Sequence, residues 1–473
     1  MSCQKLATHL VLPSSFKPSL PPTLIPCAPI ESNTKPWPIS MLWAFHLPPS
    51  TAAVDHMPTT LLLSSLASTL NVFPVLCAGL LQDSTGAATL RLDNSNPVTL
   101  IEATHSVPLS SCIPTPTTRY SPPQPPALWT HPQLLDGSLI PRDVLTAVNA
   151  DWTGVACSVQ VTRWACGGVL LGLSAFHCLM DAQAAATFLG EWGRQCAALK
   201  SGLTGAAIPP IAHPPSFDRT FMTDGMEEAL SQRPFKNHIF RILPEPPAPQ
   251  SLDGWVPPHV VHRVYHFPRT ELEAIRRAAR GDETSDISAH DALFAHLMQV
   301  IGAATGTVGE EDVMVCQATN GRKVLGQPHF FGSCAFWQHH RSTNAAIQSS
   351  LTATAAAVHH THASPDRTSL LAYNGHIASA PTMRHIQLAA RITSYDYHVA
   401  SWRNCGMYDV DFGWGRPALM GPAMNCYARY VIFGDGVVGS EGEGGVDVWL
   451  ALEDEHWQRM VEGGQLHRYA NLA

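Results

Sequence analysis

Charge is scarce in this chain. Of 473 residues, 29 are Lys or Arg and 37 are Asp or Glu, so charged side chains make up 14%, and the formal net charge is −8. No basic run breaks the sequence, which argues against nucleic acid or an anionic membrane surface as the main partner. The twelve cysteines are scattered, with no C-x-x-C pair and no dense framework, so reduced thiols in the cytosol are expected. The N-terminus MSCQKLATHL lacks a long apolar run, and no secretory signal is expected. The longest charge-free stretch, about 56–82, is broken by Ser64, Ser65, Ser68, Asn71 and Pro74. It reads as an amphipathic buried helix rather than a membrane span. Also missing are a G-x-S-x-G nucleophile elbow, a G-x-x-x-x-G-K-[ST] loop and a strand-borne G-x-G-x-x-G. These absences disfavour a serine acyl-enzyme, a nucleoside triphosphate and a dinucleotide. No repeat of 20–50 residues is visible. The histidines of VHHTH (His359, His360, His362) and the pair His339-His340 lack an H-E-x-x-H arrangement. They are expected to be solvated, and no metal site is expected.

What is present is apolar and punctuated. Apolar residues reach 45%, and 473 residues suit two domains of roughly 200 to 250 each. Proline- and glycine-rich runs at 107–126, 200–216 and 244–258 read as loops, the second as the inter-domain connection. Short β-like runs such as HRVYHFP (262–268) alternate with amphipathic helices such as TELEAIRRAAR (270–280), which indicates an α/β fold.

One junction stands out. Gly168 to Phe176 (GVLLGLSAF) is apolar and charge-free, as a buried strand would be, and DAQAAATFLGEWGRQCAAL that follows places Phe188, Leu189, Trp192, Cys196 and Leu199 at helical spacing. Between them, His177-Cys178-Leu179-Met180-Asp181 puts an imidazole at the strand exit and a carboxylate at the helix start, where it could serve as an N-cap. A neutral imidazole there can take a proton from an alcohol or amine near pH 7. Cys178 is a conceivable nucleophile, but adjacent residues leaving a strand point opposite ways, so it is expected to face away from the side on which His177 works.

A second motif, Asp411-Phe412-Gly413-Trp414-Gly415, lies within SWRNCGMYDVDFGWGRP. Together with His-x-x-x-Asp it resembles the BAHD acyltransferases, which move acyl groups from coenzyme A thioesters to alcohols or amines. The likeness continues in LSSLASTLNVFPVLCAGLL (63–81), QVTRWACGGVLLGLSAFHCLMDA (160–182), FDRTF (217–221), SAHDALFAHL (288–297), ATNGRKVLGQPHFFGS (318–333) and GGVDVWLALEDEHWQRM (444–460), in the family's order. Three departures mark the chain as a divergent, fungal-like member. Ala182 replaces the glycine that usually follows the aspartate, Ser333 replaces the asparagine that ends "FGN", and the first sixty residues keep little likeness.

The resemblance implies two chloramphenicol-acetyltransferase-like domains, 1–205 and 206–473, with mixed sheets flanked by helices and a channel between them. A segment near 365–400 is expected to cross back to the first domain. It implies that His177 is the general base and that Asp181 orients its loop by pairing with Arg322. Trp402 would direct its indole N–H to the thioester carbonyl. Asp411 reads as a loop-fixing carboxylate, with a second proton acceptor as the alternative. Ser288, Gly332 and Ser333 match positions that line the coenzyme A channel. No permanently bound cofactor is implied; acyl-CoA, acetyl-CoA in particular, would be the co-substrate and a small alcohol the acceptor.

The leading expectation is a monomeric, cytoplasmic O-acyltransferase acting on a specialised metabolite such as a terpenoid or alkaloid, through a ternary complex. N-acylation or a peptide-synthetase-like condensation is an alternative, although Phe176 stands where condensation domains carry a second histidine. A non-catalytic binding protein of the same fold is the third reading.

Overall fold

The computed structural model describes residues 3–34, 38–113, 138–141, 155–233, 239–247, 260–281, 286–307, 309–390, 396–423, 429–436, 444–463, 469 and 471–472. Part of the 107–126 loop and most of the 244–258 loop lie outside them.

Six strands form the first large sheet, side by side in the order Cys3–Val11, Val98–His105, Cys157–Trp164, Val169–Phe176, Pro38–Phe45 and Leu419–Pro422. Val98–His105 and Cys157–Trp164 pair parallel and the other neighbours antiparallel, so the sheet is mixed. Val169–Phe176 is buried at all eight positions. Both of its faces are covered, which is why its sequence is a continuous apolar run rather than an alternation. The helix Ala182–Lys200 follows it and packs on the helix Thr59–Thr69, where Trp192 Nε1 donates to Ser65 Oγ at 3.0 Å and Leu62 O at 3.2 Å. Ser65 of the 56–82 stretch therefore serves a buried helix contact, while Asn71 binds the Ser14–Phe16 segment. No helix among the described residues is long and apolar enough to cross a membrane.

The second large sheet runs in the order Ala335–Thr343, Asp312–Asn320, Tyr397–Ser401, Tyr430–Asp435, Gly445–Glu453, Val260–Pro268 and Asn471–Leu472. Alternate residues of its strands point to opposite faces. Val399, Val431, Phe433, Val448 and Leu450 meet the helices Arg269–Arg280, Ala289–Thr305, Leu351–Ala363 and Asp454–Gly463. Val264, Ala400, Ile432 and Trp449 instead join the apolar cluster built by the first sheet. The two halves thus share an apolar contact rather than meeting through a linker alone.

The segment that completes the first sheet from the second half is Leu419–Pro422, antiparallel to Pro38–Phe45 with Leu419 opposite Ala44. The 365–400 region touches the first half differently. Asn374 Oδ1 accepts from Ile30 N at 3.0 Å, and Met383 N donates to Thr85 O at 2.8 Å.

Candidate active site

His177 leaves the buried strand half-buried, while Cys178 beside it is fully buried in the apolar cluster. This is the alternation expected of consecutive residues at a strand exit. Burial lowers the imidazole pKa below its ordinary value, opposed by a hydrogen bond to the residue's own backbone and by the Asp181 charge. The ring is therefore neutral at pH 7.

Asp181 caps the helix Ala182–Lys200 by accepting from Ala184 N at 3.0 Å. The same carboxylate reaches across to the second half. Arg322 Nη1 donates to Oδ2 at 2.7 Å and Nη2 to Oδ1 at 2.9 Å, and Cys334 N donates to Oδ2 at 2.9 Å. Cap and inter-half ion pair are one residue's two functions. Burial alone would raise its pKa, but the Arg322 guanidinium and these hydrogen bonds hold it below the usual carboxylate range. Arg322 Nε also donates to Phe330 O and Nη2 to Gly332 O, both at 2.8 Å, and Nη1 to Asn320 Oδ1 at 3.2 Å. The turn 330–334 is thereby delivered to His177, and Ser333 Oγ stands 3.3 Å from His177 Nδ1.

Trp402 follows the strand Tyr397–Ser401, donates its backbone N–H to Phe433 O at 2.7 Å, and packs in the cluster that holds Phe176, Cys178 and Met180. Cys405, three residues on, lies near enough to Asp181 and Arg322 to feel both charges; burial above all pushes its thiol up to about 12. Asp411 has a different setting. Its Oδ1 accepts from Gly413 N at 2.6 Å and Gly415 N at 2.9 Å, closing a tight turn with φ of 96° and 105° at the two glycines. Phe412 packs edge-on to Trp192 at 5.0 Å, and Gly193 gives the loop room, since a Cβ there would stand 2.7 Å from Asp411 O.

Ser288 caps the helix Ala289–Thr305 in a reciprocal box with Asp291. Asp291 is fully buried and also receives His359 Nδ1 at 2.9 Å. His359 of the VHHTH run is thus anchored rather than simply solvated, and His340 Nδ1 meets Thr361 Oγ1 at 2.8 Å. Among the described residues, the one His, Cys, Asp or Glu group close enough to share an ion is Glu453, Glu455 and His456, partly exposed and outside the VHHTH run. Of the residues singled out in the sequence, the structure brings together His177, Asp181, Arg322, Gly332 and Ser333. It sets Ser288 and Asp411 in local turns of their own. The sequence reading missed Glu31, a buried carboxylate that meets Arg219 at 3.2 Å beside Gly332. No motif marks it, and its partner lies 188 residues away.

Comparison with known proteins fits this arrangement. A hydroxycinnamoyltransferase of Oryza sativa subsp. japonica is 26% identical over 315 residues, 64% of this chain and 66% of that enzyme. A putrescine hydroxycinnamoyltransferase of the same species is 24% identical over 96% of this chain and 97% of its own. Vinorine synthase superposes with a TM-score of 0.66 at 18% identity over 100% of this chain and 99% of its own. TRI101 of F. graminearum, solved with coenzyme A and T-2 mycotoxin, does so at 0.66 and 14% identity, over 95% of this chain and 99% of its own. The Transferase family model matches residues 38–466. The chain therefore belongs to that family, the BAHD acyltransferases, and has their two-domain α/β fold.

Proposed function

We propose that this protein transfers an acyl group, acetyl in the first instance, from coenzyme A to a hydroxyl of a small specialised metabolite, in a ternary complex. The observation that carries the reading is the state of His177: a neutral ring at the exit of a rigid strand, bound through Nδ1 and leaving Nε2 to act. In the forward step the acceptor hydroxyl gives its proton to Nε2 as its oxygen attacks the thioester carbon. The C–S bond then breaks, and the proton on Nε2 passes to the departing thiolate. General-base action of this kind contributes typically about 10²–10⁴-fold. Trp402 is assigned to the developing oxyanion. Asp181 is assigned to holding the loop through Arg322, and Asp411 to holding its own turn. We place the division between the two acyltransferase domains near residue 205.

Direct transfer without an acyl-enzyme is supported by Cys178, which is fully buried while the neighbouring base is half-exposed. A hydroxyl acceptor is supported by the saturation of Asp181. Arg322, Cys334 and Ala184 occupy its oxygens, leaving no carboxylate position there for an alkylammonium ion. N-acylation is the second reading, favoured by relatives whose names give putrescine and agmatine as acceptors.

Thiol release from acetyl-CoA and longer acyl-CoAs, measured against a panel of alcohols and amines, tests this. Acceptor-dependent release with an alcohol is expected. Faster turnover of amines would install the second reading, and no turnover with any pair would defeat both.

A further inference from the structure

The turn that carries Ser333 is held on two sides by buried ion pairs. On one side stand Asp181 and Arg322, as described. On the other, Glu31 is fully buried, accepts from Ala28 N at 2.9 Å and from Arg219 Nε at 3.2 Å, and faces the backbone N–H of Ser333. A Cβ at Gly332 would stand 2.7 Å from Glu31 Oε1 and 2.4 Å from Phe330 Cζ, so glycine is what lets the turn come this close. The Phe330 ring lies near both guanidinium groups, 5.2 Å from that of Arg219 and 5.7 Å from that of Arg322. Phe331 N donates to Ser216 O at 2.8 Å, which adds the linker to the clamp.

A side chain fixed this firmly has a defined partner. Nδ1 of His177 meets Ser333 Oγ at 3.3 Å, and a hydrogen bond to the residue's own backbone is among the interactions that oppose the lowering of its pKa. For the ring to act as a base through Nε2, the neutral tautomer must carry its hydrogen on Nδ1, the nitrogen that faces Ser333. Ser333 Oγ then accepts from Nδ1–H, and that bond strengthens when the ring becomes cationic.

We infer that Ser333 is a positioning residue for the base: its hydroxyl, on a turn clamped by Asp181–Arg322 and Glu31–Arg219, holds Nδ1 of His177 and keeps Nε2 presented to the acceptor. The inference rests on the reading of His177 as general base. It gives the serine at this position a task of its own, distinct from lining the coenzyme A channel.

Steady-state kinetics of Ser333→Ala and Ser333→Thr across pH, with thermal melting to confirm folding, tests it. Ser333→Ala should lose roughly three- to tenfold in kcat, the worth of one hydrogen bond, with KM for acyl-CoA unchanged. The acid limb of its kcat/KM profile should move to lower pH, because the cationic ring has lost an acceptor. Ser333→Thr should restore both. Wild-type kcat with an unmoved acid limb in Ser333→Ala, or a loss confined to KM for acyl-CoA, would overturn the inference. His177→Ala, measured alongside, separates the two claims. If it stays active the base assignment fails, whereas an inert Ser333→Ala change beside an inactive His177→Ala removes the positioning role alone.

Discussion

Asp181 and Asp411 belong to the two motif loops, and their carboxylates are satisfied by different parts of the molecule. Asp181 receives Arg322 and Cys334 from the opposite half as well as the first turn of its own helix. Among the described residues, Asp411 receives only the backbone of Gly413 and Gly415, two and four residues away. The first aspartate is a bond between halves, and His177 sits on the loop it fixes. The second is a local staple whose loop packs on the helix Ala182–Lys200 through Phe412. An aspartate in a short motif can thus matter for the whole architecture or for one turn, and only the partners tell which.

The largest separation between the two should come from charge removal. Asp181→Asn leaves Arg322 buried without its counter-ion, and loss of one partner of a buried pair costs about 3–5 kcal/mol. Chemical denaturation should show this loss together with the loss of activity. An Asp181→Asn protein that is inactive but as stable as wild type would instead point to a chemical role for this carboxylate.

Acid should bear on both halves, since burial also lowers His56 and His177 in the first, but more on the second. His262, His290, His340 and His398, all in the second half, are lowered to about 4 by burial. Between about pH 4 and the ordinary histidine value near 6.5 the unfolded chain binds more protons than the folded one, so stability is full above that window and falls as pH drops through it. Hydrogen exchange between pH 7 and 5 should show protection lost first in the second sheet. Earlier loss in the first sheet would contradict the ordering.

The smallest effect expected is that of Asp411→Ala, which removes two hydrogen bonds to a partly exposed turn, about 1–2 kcal/mol in all. Melting temperature and soluble yield should fall together with activity. An inactive variant with unchanged melting would move Asp411 to the chemistry.

Much of this arrangement was legible in the sequence, and the limits are physical. The strand–histidine–helix junction was readable because a strand buried on both faces must be apolar throughout, and because the next helix declares itself by periodicity. The Asp181–Arg322 pair came only through family resemblance, since nothing local links residues 141 apart. Glu31 was invisible for the same reason, in a segment with little family likeness. Ser333 was placed at the coenzyme A channel by pattern, and the structure brings it to His177, a contact that depends on how the 330–334 turn is bolted from both sides. The return of Leu419–Pro422 to the first sheet was also hidden, because four apolar residues after a turn fit either sheet equally well.

The central claim is that His177 works as the general base within a ternary complex. Turnover and acyl-CoA binding of His177→Ala, measured on the same folded preparation, test it most directly. The account predicts that acyl-CoA binding is retained while kcat/KM falls by about 10²–10⁴-fold. Retention of more than roughly a tenth of wild-type turnover, far above what loss of a general base allows, would contradict it.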